Sequence, residues 1–163
     1  MIIRLNIAEL AIRRKSGLLV TGGLGSCVGV ALYDPVRKIG GLTHIFMNDS
    51  TPYNLTSENL LKYADTALPL MLDKMLREGA LREELVAKIA GGSQFFDYNR
   101  IGREFDLSVG GKNILAVKKA LKTLGIPLKG EDVGGNISRT MKLYVDSGKV
   151  EVISLSKGYK KVF

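Results

Sequence analysis

One cysteine and one histidine are the residues of this chain that could act together as a nucleophile and its base. The sequence of 163 residues contains a single Cys, a single His and no Trp. A single cysteine cannot close an intramolecular disulfide, and one Cys with one His is too small a set for a four-ligand structural zinc site. The chemistry left for Cys27 and His44 is nucleophilic catalysis, in which the imidazole takes the thiol proton and later protonates a leaving group. We therefore expect no metal and no cofactor.

The segment between these two residues predicts a β-hairpin that brings them together. Two apolar runs, 27–33 and 39–46, predict strands, and an Asp-Pro turn signal separates them. A turn centred just after Pro35 makes paired positions sum to 71 and sets Cys27 directly opposite His44, whereas a three-residue turn changes the sum to 72. Directly opposed side chains have Cβ atoms about 4.5–5.5 Å apart, which is close enough for a thiol–imidazole hydrogen bond.

The residues before Cys27 favour the same chemistry. Residues 22–26 read GGLGS, and glycines let backbone amides approach a ligand closely, where they lower a thiol pKa and stabilise an oxyanion. Gly25 and Ser26 are therefore candidate oxyanion or substrate-binding residues, and Thr21 is a candidate to orient the imidazole. A structural interpretation stands beside this one, because a lone Cys is commonly a small core residue and a lone His a hydrogen-bonded structural residue.

The rest of the chain mixes strands with two helices. Apolar patterns and turn signals predict strands at 18–21, 27–33, 39–46, 85–90, 140–146 and 150–156, and helices at 58–78 and 112–124. Pro69 lies inside the first helix and predicts a kink or a break there, while residues 93–111 are irregular. These elements predict an α/β (α+β) fold, namely a layered mixed β-sandwich with helices packed on one face, in a single domain over 1–163.

Positive charge is concentrated in the last third of the chain. Residues 1–111 carry 13 basic and 12 acidic side chains (13 − 12 = +1), whereas residues 112–163 carry 11 and 4 (11 − 4 = +7). Lys118, Lys119 and Lys122 lie on the polar side of the second helix, and no basic run is interleaved with aromatic residues as a stacking platform for nucleic acid requires. The charge therefore predicts a solvated face or attraction to an acidic partner, and no nucleic-acid binding.

The sequence pattern gives no indication of a targeting signal or of a membrane-spanning segment. The first 16 residues are interrupted by charges and lack the apolar centre of a signal peptide. No apolar run approaches the roughly 20 residues that span a bilayer. We therefore expect a cytoplasmic protein that is not inserted in a membrane.

Several motifs stand in a characteristic order along the chain. The most specific is TGGLGSCVGVALYDPVRKIGGLTHIFMNDS at 21–50, and others are KYADTA at 62–67, KIAGG at 88–92 with Phe95, and EDVGGN at 131–136 with Arg139. Over about residues 7–155 the sequence resembles the CheD family of chemoreceptor glutamine deamidases. The chain departs from the family pattern in having Met47-Asn48 where the family usually has Leu-Pro, and in a longer segment at 93–113.

This resemblance implies a function and a catalytic set. The family's Cys nucleophile, His base and orienting Thr fall on Cys27, His44 and Thr21, in a cysteine hydrolase domain. The implied reaction hydrolyses Gln side chains to Glu on cytoplasmic helices of chemoreceptors, through a Cys thioester, with methylesterase activity on Glu methyl esters as a side reaction. The implied partners are chemoreceptors and a CheC-type phosphatase. The alternative function is a non-catalytic module that binds and stimulates that phosphatase.

Overall fold

Two stacked sheets and a pair of helices make up residues 1–95 and 108–163, the part of the chain that the computed structural model describes. In chain order the elements are β1 (Ile2–Leu5), β2 (Leu10–Arg14), β3 (Leu18–Leu24), β4 (Val28–Asp34), β5 (Ile39–Ile45), α1 (Ala64–Arg77), β6 (Val86–Gly91), α2 (Val109–Thr123), β7 (Leu128–Val133), β8 (Arg139–Tyr144), β9 (Val150–Ser154) and β10 (Tyr159–Val162). Two single-turn 3₁₀ helices lie at Arg82–Glu84 and Leu155–Lys157.

The chain forms three layers. A central sheet has the strand order β2-β5-β4-β6-β7, and an outer sheet has the order β1-β3-β8-β9-β10. Pairing is parallel between β1 and β3 and between β6 and β7, and antiparallel elsewhere. Helices α1 and α2 pack on one face of the central sheet, and the outer sheet packs on its other face. The layered mixed sandwich with helices on one face is confirmed.

The alternation of side chains along β4 separates two apolar cores. Val28, Val30 and Leu32 point towards the helices and join the larger core. Ala31 points the opposite way, into the core between the two sheets, where it packs with outer-sheet residues such as Met141. Cys27, one residue before β4, belongs to this inter-sheet core. The proposed nucleophile therefore lies between the sheets and not against the helices.

Helix α1 differs from its predicted extent and is not broken. It begins at Ala64 and not at residue 58, and it continues through Pro69 to Arg77. Proline in a helix removes the hydrogen bond to the residue four positions earlier, which here is Asp65 in the first turn. Because the lost bond lies at the helix start, the rest of the ladder is unaffected. Of the irregular segment predicted at 93–111, residues 96–107 lie outside the described residues.

Candidate active site

The turn between β4 and β5 sets the relative placement of Cys27 and His44. Asp34 pairs with Ile39 across a four-residue turn, so paired positions sum to 73, and His44 lies opposite Gly29. The predicted direct opposition of Cys27 and His44 is therefore wrong. The shift from 71 to 73 is two residues, which keeps both side chains on the same face of the sheet. Cys27 is the diagonal neighbour of His44, a relation in which Cα atoms are about 7–8 Å apart.

The carboxylate of Asp34 explains why the turn is longer than expected. Its Oδ1 accepts hydrogen bonds from the backbone N–H of Val36 at 3.0 Å and of Arg37 at 2.9 Å. Its Oδ2 accepts from the N–H of Leu81, at 3.1 Å, after the end of α1. Lys38 completes the turn with a left-handed φ of 53°. An Asp that binds the backbone two and three residues onward favours a turn of this length over a two-residue hairpin.

His44 is held by Thr21. The Thr21 hydroxyl lies 2.7 Å from His44 Nδ1 and 3.1 Å from the backbone carbonyl of Leu5. A carbonyl cannot donate, so the single hydroxyl hydrogen goes to Leu5, and Thr21 accepts from Nδ1–H. This network assigns the hydrogen of the neutral imidazole to Nδ1 and leaves Nε2 as the unprotonated nitrogen. Within residues 1–95 and 108–163, Nε2 is buried and has no hydrogen-bond partner.

The thiol–imidazole hydrogen bond that direct opposition would give is not formed among the described residues, because Nε2 has no partner there.

Burial sets the protonation of the Cys27 thiol and of the His44 imidazole. It lowers the pKa of His44 below the ordinary value of an imidazole. It also raises the pKa of the Cys27 thiol, and the backbone N–H of Cys27 offsets part of that rise. Both groups are therefore uncharged near neutral pH, and the site holds a thiol beside a neutral base.

We expect Thr21→Val to lower the kcat/KM of any reaction that uses the Cys27–His44 pair by about 5–150-fold, because it leaves the buried Nδ1–H without an acceptor. Thr21→Ser keeps the hydroxyl and is the matched control, with activity close to that of the parent. The chain has a single histidine, so ¹⁵N NMR reports its tautomer without ambiguity. The same Nδ1–H signature in both variants, with equal activity, would contradict an orienting role for Thr21.

Backbone contacts from β6 hold the loop that carries Cys27. The N–H of Gly92 donates to the carbonyl of Cys27 at 2.8 Å, and the N–H of Ser93 donates to the carbonyl of Gly25 at 2.7 Å. Gly91 adopts a φ of 114°, and a Cβ atom there would overlap the Cys27 carbonyl. Glycine at position 91 is thus required for the loop to approach so closely.

We expect Gly91→Ala to lower the free energy of unfolding by at least about 2 kcal/mol, because left-handed strain adds to the overlap with Cys27. Gly134→Ala is the control, since Gly134 also has a positive φ, of 79°, but no neighbour within 4 Å of the added Cβ. Urea unfolding measures both variants. Equal losses of stability would show that conformational strain alone, and not the approach to the Cys27 loop, requires glycine at position 91.

Asn113 is a site residue that the sequence analysis did not assign. Its fully buried side chain, on α2, donates from Nδ2 to the carbonyl of Ser26 at 2.9 Å and to that of Phe46 at 3.2 Å. It therefore joins the residue before Cys27 to the strand end that follows His44. The available signal was its position on the apolar stripe of the helix, four residues before Val117, because a polar group on a buried face needs a partner.

A buried arginine supports the same loop from the other side. Arg139, 4% exposed, donates from Nη1 to Ser93 Oγ at 2.8 Å, and its Nη2 lies 3.5 Å from Asp132 Oδ1. Ser93 Oγ in turn donates to the carbonyl of Ile137 at 2.5 Å. The backbone N–H of Ser93 donates to the carbonyl of Gly25, so Arg139 is linked through Ser93 to the loop that carries Cys27.

The backbone N–H groups of the two candidate oxyanion residues, Gly25 and Ser26, differ in their hydrogen bonding. The N–H of Gly25 donates to the carbonyl of Gly23 at 3.0 Å and is engaged in that turn. Among the described residues, the N–H groups of Ser26 and Cys27 donate no hydrogen bond to another residue. The Cys27 N–H lies near its own thiol. The amides of Ser26 and Cys27 are therefore the better placed donors for charge that develops beside the sulfur.

Two polar residues at the start of α1 have structural partners. Asp65 accepts from the hydroxyl of Ser50 at 2.6 Å, and Thr66 donates to the carbonyl of Leu60 at 2.6 Å. Both anchor the segment between β5 and α1.

In the part of the chain that is described, no group of three or more His, Cys, Asp or Glu side chains could hold a metal ion. None of the described helices is long and apolar enough to cross a membrane.

Comparison with known proteins shows the family to which this chain belongs. The CheD family model, described as chemotactic sensory transduction, matches residues 47–154, a stretch that begins after His44. A relative from Clostridium novyi (strain NT) is 42% identical over 160 residues, covering 98% of this chain and 97% of the relative. A relative from Caldanaerobacter subterraneus subsp. tengcongensis is 40% identical over 161 residues, covering 99% and 98%. Both relatives are named "Probable chemoreceptor glutamine deamidase CheD".

The protein is therefore of the chemotactic sensory transduction class. More closely, the chain belongs to the CheD family, as the sequence motifs predicted. The solved structure of the hypothetical protein YfiH from Bacillus licheniformis aligns with a TM-score of 0.46 at 18% identity, over 72% of this chain and 47% of that one. A likeness this distant carries no conclusion about activity.

Proposed function

We propose that this chain is a chemoreceptor glutamine deamidase that uses Cys27 as nucleophile, His44 as general base and acid, and Thr21 as the residue that orients the imidazole. The observation that carries the proposal is the hydrogen bond of 2.7 Å between Thr21 and His44 Nδ1, which leaves Nε2, without a hydrogen-bond partner among the described residues, on the same sheet face as Cys27. Membership of the CheD family and the names of the relatives support the choice of substrate. The cytoplasmic location and a CheC-type partner belong to the same proposal and rest on family membership.

The first half of the reaction forms a thioester. As Cys27 Sγ attacks the carbon of the Gln side-chain amide, its proton passes to His44 Nε2. The C=O electron pair moves onto oxygen, and the N–H groups of Ser26 and Cys27 donate to the resulting oxyanion. When the tetrahedral intermediate collapses, the C–N bond breaks and Nε2 returns the proton to the nitrogen. Ammonia leaves, and the acyl group remains on sulfur.

The second half releases the product. A water molecule replaces ammonia, gives a proton to His44 Nε2 and attacks the thioester carbon. The C–S bond then breaks, and the proton returns to the sulfur of Cys27 as the Glu side chain is released. A Glu methyl ester enters the same thioester with methanol as leaving group, so methylesterase activity follows from the same set of residues.

The test is to incubate the protein with a purified chemoreceptor cytoplasmic fragment and to follow two products. We expect ammonia release in a coupled assay and conversion of specific Gln residues to Glu by peptide mass mapping, in equal amounts. A fragment whose mapped Gln residues are changed to Asn is the control and should release no ammonia. Absence of both products with a folded receptor from the same organism would overturn the proposal.

A further inference from the structure

The exposed side of α2 differs in charge from that of the neighbouring helix. Residues 107–130 contain no Asp or Glu, and within them α2 carries four lysines. Helix α1 has balanced charges and an internal ion pair, Arg77 with Asp73 at 3.0 Å. Balanced pairs of this kind are the usual pattern of a solvated helix face. An unbalanced row of lysines calls for a different explanation.

Three of these lysines form one stripe with a leucine. Lys112, Leu115, Lys119 and Lys122 are all exposed, Leu115 at 63%, and their spacing places them on one side of the helix. We call these four residues the α2 lysine stripe. Within residues 1–95 and 108–163 its lysines form no ion pair within 4 Å, whereas the half-buried Lys118 beside the stripe pairs with Glu131 at 2.9 Å.

Two acidic groups lie beside part of the stripe, since Asp49 and Asp65 line the same cavity as Lys119. The pKa of Asp49 is lowered chiefly by Thr51, which binds the carboxylate, and to a smaller extent by Lys119. The cavity has a volume of about 490 Å³ and lies between the two helices, where Pro69, Ala116, Ala120 and Leu124 supply its apolar lining. The stripe thus runs beside a recess of mixed polarity, and its unpaired lysines, not this recess, are the feature that points to a partner.

One end of the stripe lies at the end of α2 that contacts the loop before Cys27. Lys112 immediately precedes Asn113, whose buried side chain binds the carbonyl of Ser26, the neighbour of Cys27. From Lys112 to Lys122 the helix rises about 15 Å, which matches three turns of a second helix lying along it. A segment docked along the stripe would therefore have one end on the side of the molecule where this loop lies.

We propose that the α2 lysine stripe is the docking surface for the protein substrate, and that the docked segment is an acidic α-helix carrying the target Gln near its end. This inference rests on the proposed deamidase function. Charge complementarity selects an acidic partner, and the straight row of three lysines with one exposed leucine fits a helix. None of the four stripe residues is aromatic, so the stripe offers no surface on which bases could stack, and this disfavours single-stranded nucleic acid as the partner.

The test compares two variants that lose the same charge. The stripe variant changes Lys112, Lys119 and Lys122 to Gln. The control variant changes Lys15, Lys129 and Lys157, which are exposed elsewhere, to Gln. Both are made with Cys27→Ala, so that binding is measured without turnover. The probe is a fluorescent helical peptide with Glu spaced to match the stripe and one Gln.

We expect the stripe variant to weaken peptide binding by about tenfold and the control variant by less than about twofold, with a steeper salt dependence for the parent than for the stripe variant. With Cys27 restored, the ratio of kcat/KM for the acidic peptide to that for an uncharged Gln peptide should fall by a similar factor, through KM, in the stripe variant alone.

The outcomes separate this inference from the proposed function. Equal affinity of the stripe and control variants for the peptide would overturn docking at α2, whether or not deamidation occurs. Binding of duplex DNA or anionic vesicles that depends on the stripe, without binding of the acidic peptide, would overturn it as well. Stripe-dependent binding by a protein that deamidates neither peptide would support the docking surface and count against the deamidase.

Discussion

Replacement of Cys27 by alanine is expected to reduce Gln-to-Glu conversion by at least about ten-thousand-fold, because the proposed mechanism forms its covalent intermediate on the Cys27 sulfur. The measurement is a time course of ammonia release together with peptide mass mapping of the receptor fragment. Cys27 is buried at 6% exposure in the inter-sheet core, and alanine removes only the sulfur there. The variant should therefore keep the far-UV circular dichroism of the parent.

Cys27→Ser is the matched variant that separates nucleophilicity from packing. Serine keeps a hydrogen-bonding group of similar size, but a neutral imidazole beside an alcohol of high pKa is a weak activator without the geometry of a serine hydrolase. We expect the serine variant to fold like the parent and to remain nearly inactive. Appreciable activity in Cys27→Ala would show that the sulfur is not the nucleophile and would move the chemistry elsewhere.

The four strands that the sequence analysis missed are the edge strands of the two sheets. β1 and β10 border the outer sheet, and β2 and β7 border the central sheet. The run YKKV of β10 is exposed throughout, and LKGEDV of β7 is half-buried and polar. Edge strands carry charges that discourage further pairing, so the apolar alternation that predicts a strand is weak in them. The inner strands were predicted to within a few residues, and two of them, β4 and β5 of the central sheet, are buried on both faces.

The site was predictable where it depends on neighbours in sequence. The hairpin brings Cys27 and His44 to one face because both strands are strongly apolar and an Asp-Pro turn joins them. The register was not predictable from strand pattern alone, because the Asp34 carboxylate binds the backbone of the turn and of Leu81. Thr21 was placed from its position in the chain, and the structure adds its hydrogen bond to the imidazole.

Contacts between distant segments could not be predicted. Asn113 and Ser26 are 87 residues apart, and Arg139 and Ser93 are 46 residues apart, so only the packing of α2 and β8 against the nucleophile loop brings them together. Such positions are set by the summed packing of both cores. Their sequence signal is a polar residue on a buried face, which shows that a partner exists but not which one.

Replacement of His44 is expected to have the second largest effect on activity. We expect His44→Asn to lower kcat/KM at neutral pH by about 100–10,000-fold, the usual contribution of a general acid–base group. Asparagine is chosen because its amide nitrogen can take the place of Nδ1–H and donate to the Thr21 hydroxyl. The variant therefore loses the basic Nε2 while retaining the contact that holds the side chain, and a stability close to that of the parent is its control.

The pH profile then distinguishes a base from a structural histidine. In the parent, the proposed mechanism needs unprotonated Nε2, so activity should fall as the pH drops through the His44 pKa, which burial lowers below the ordinary imidazole value. In His44→Asn the thiol must ionise unaided, and burial raises its pKa, so the residual activity should climb with pH well into the alkaline range. If the activity of His44→Asn fell at low pH in the same way as that of the parent, a group other than His44 would be titrating in that pH range. His44 would then stabilise the hairpin without acting as the base.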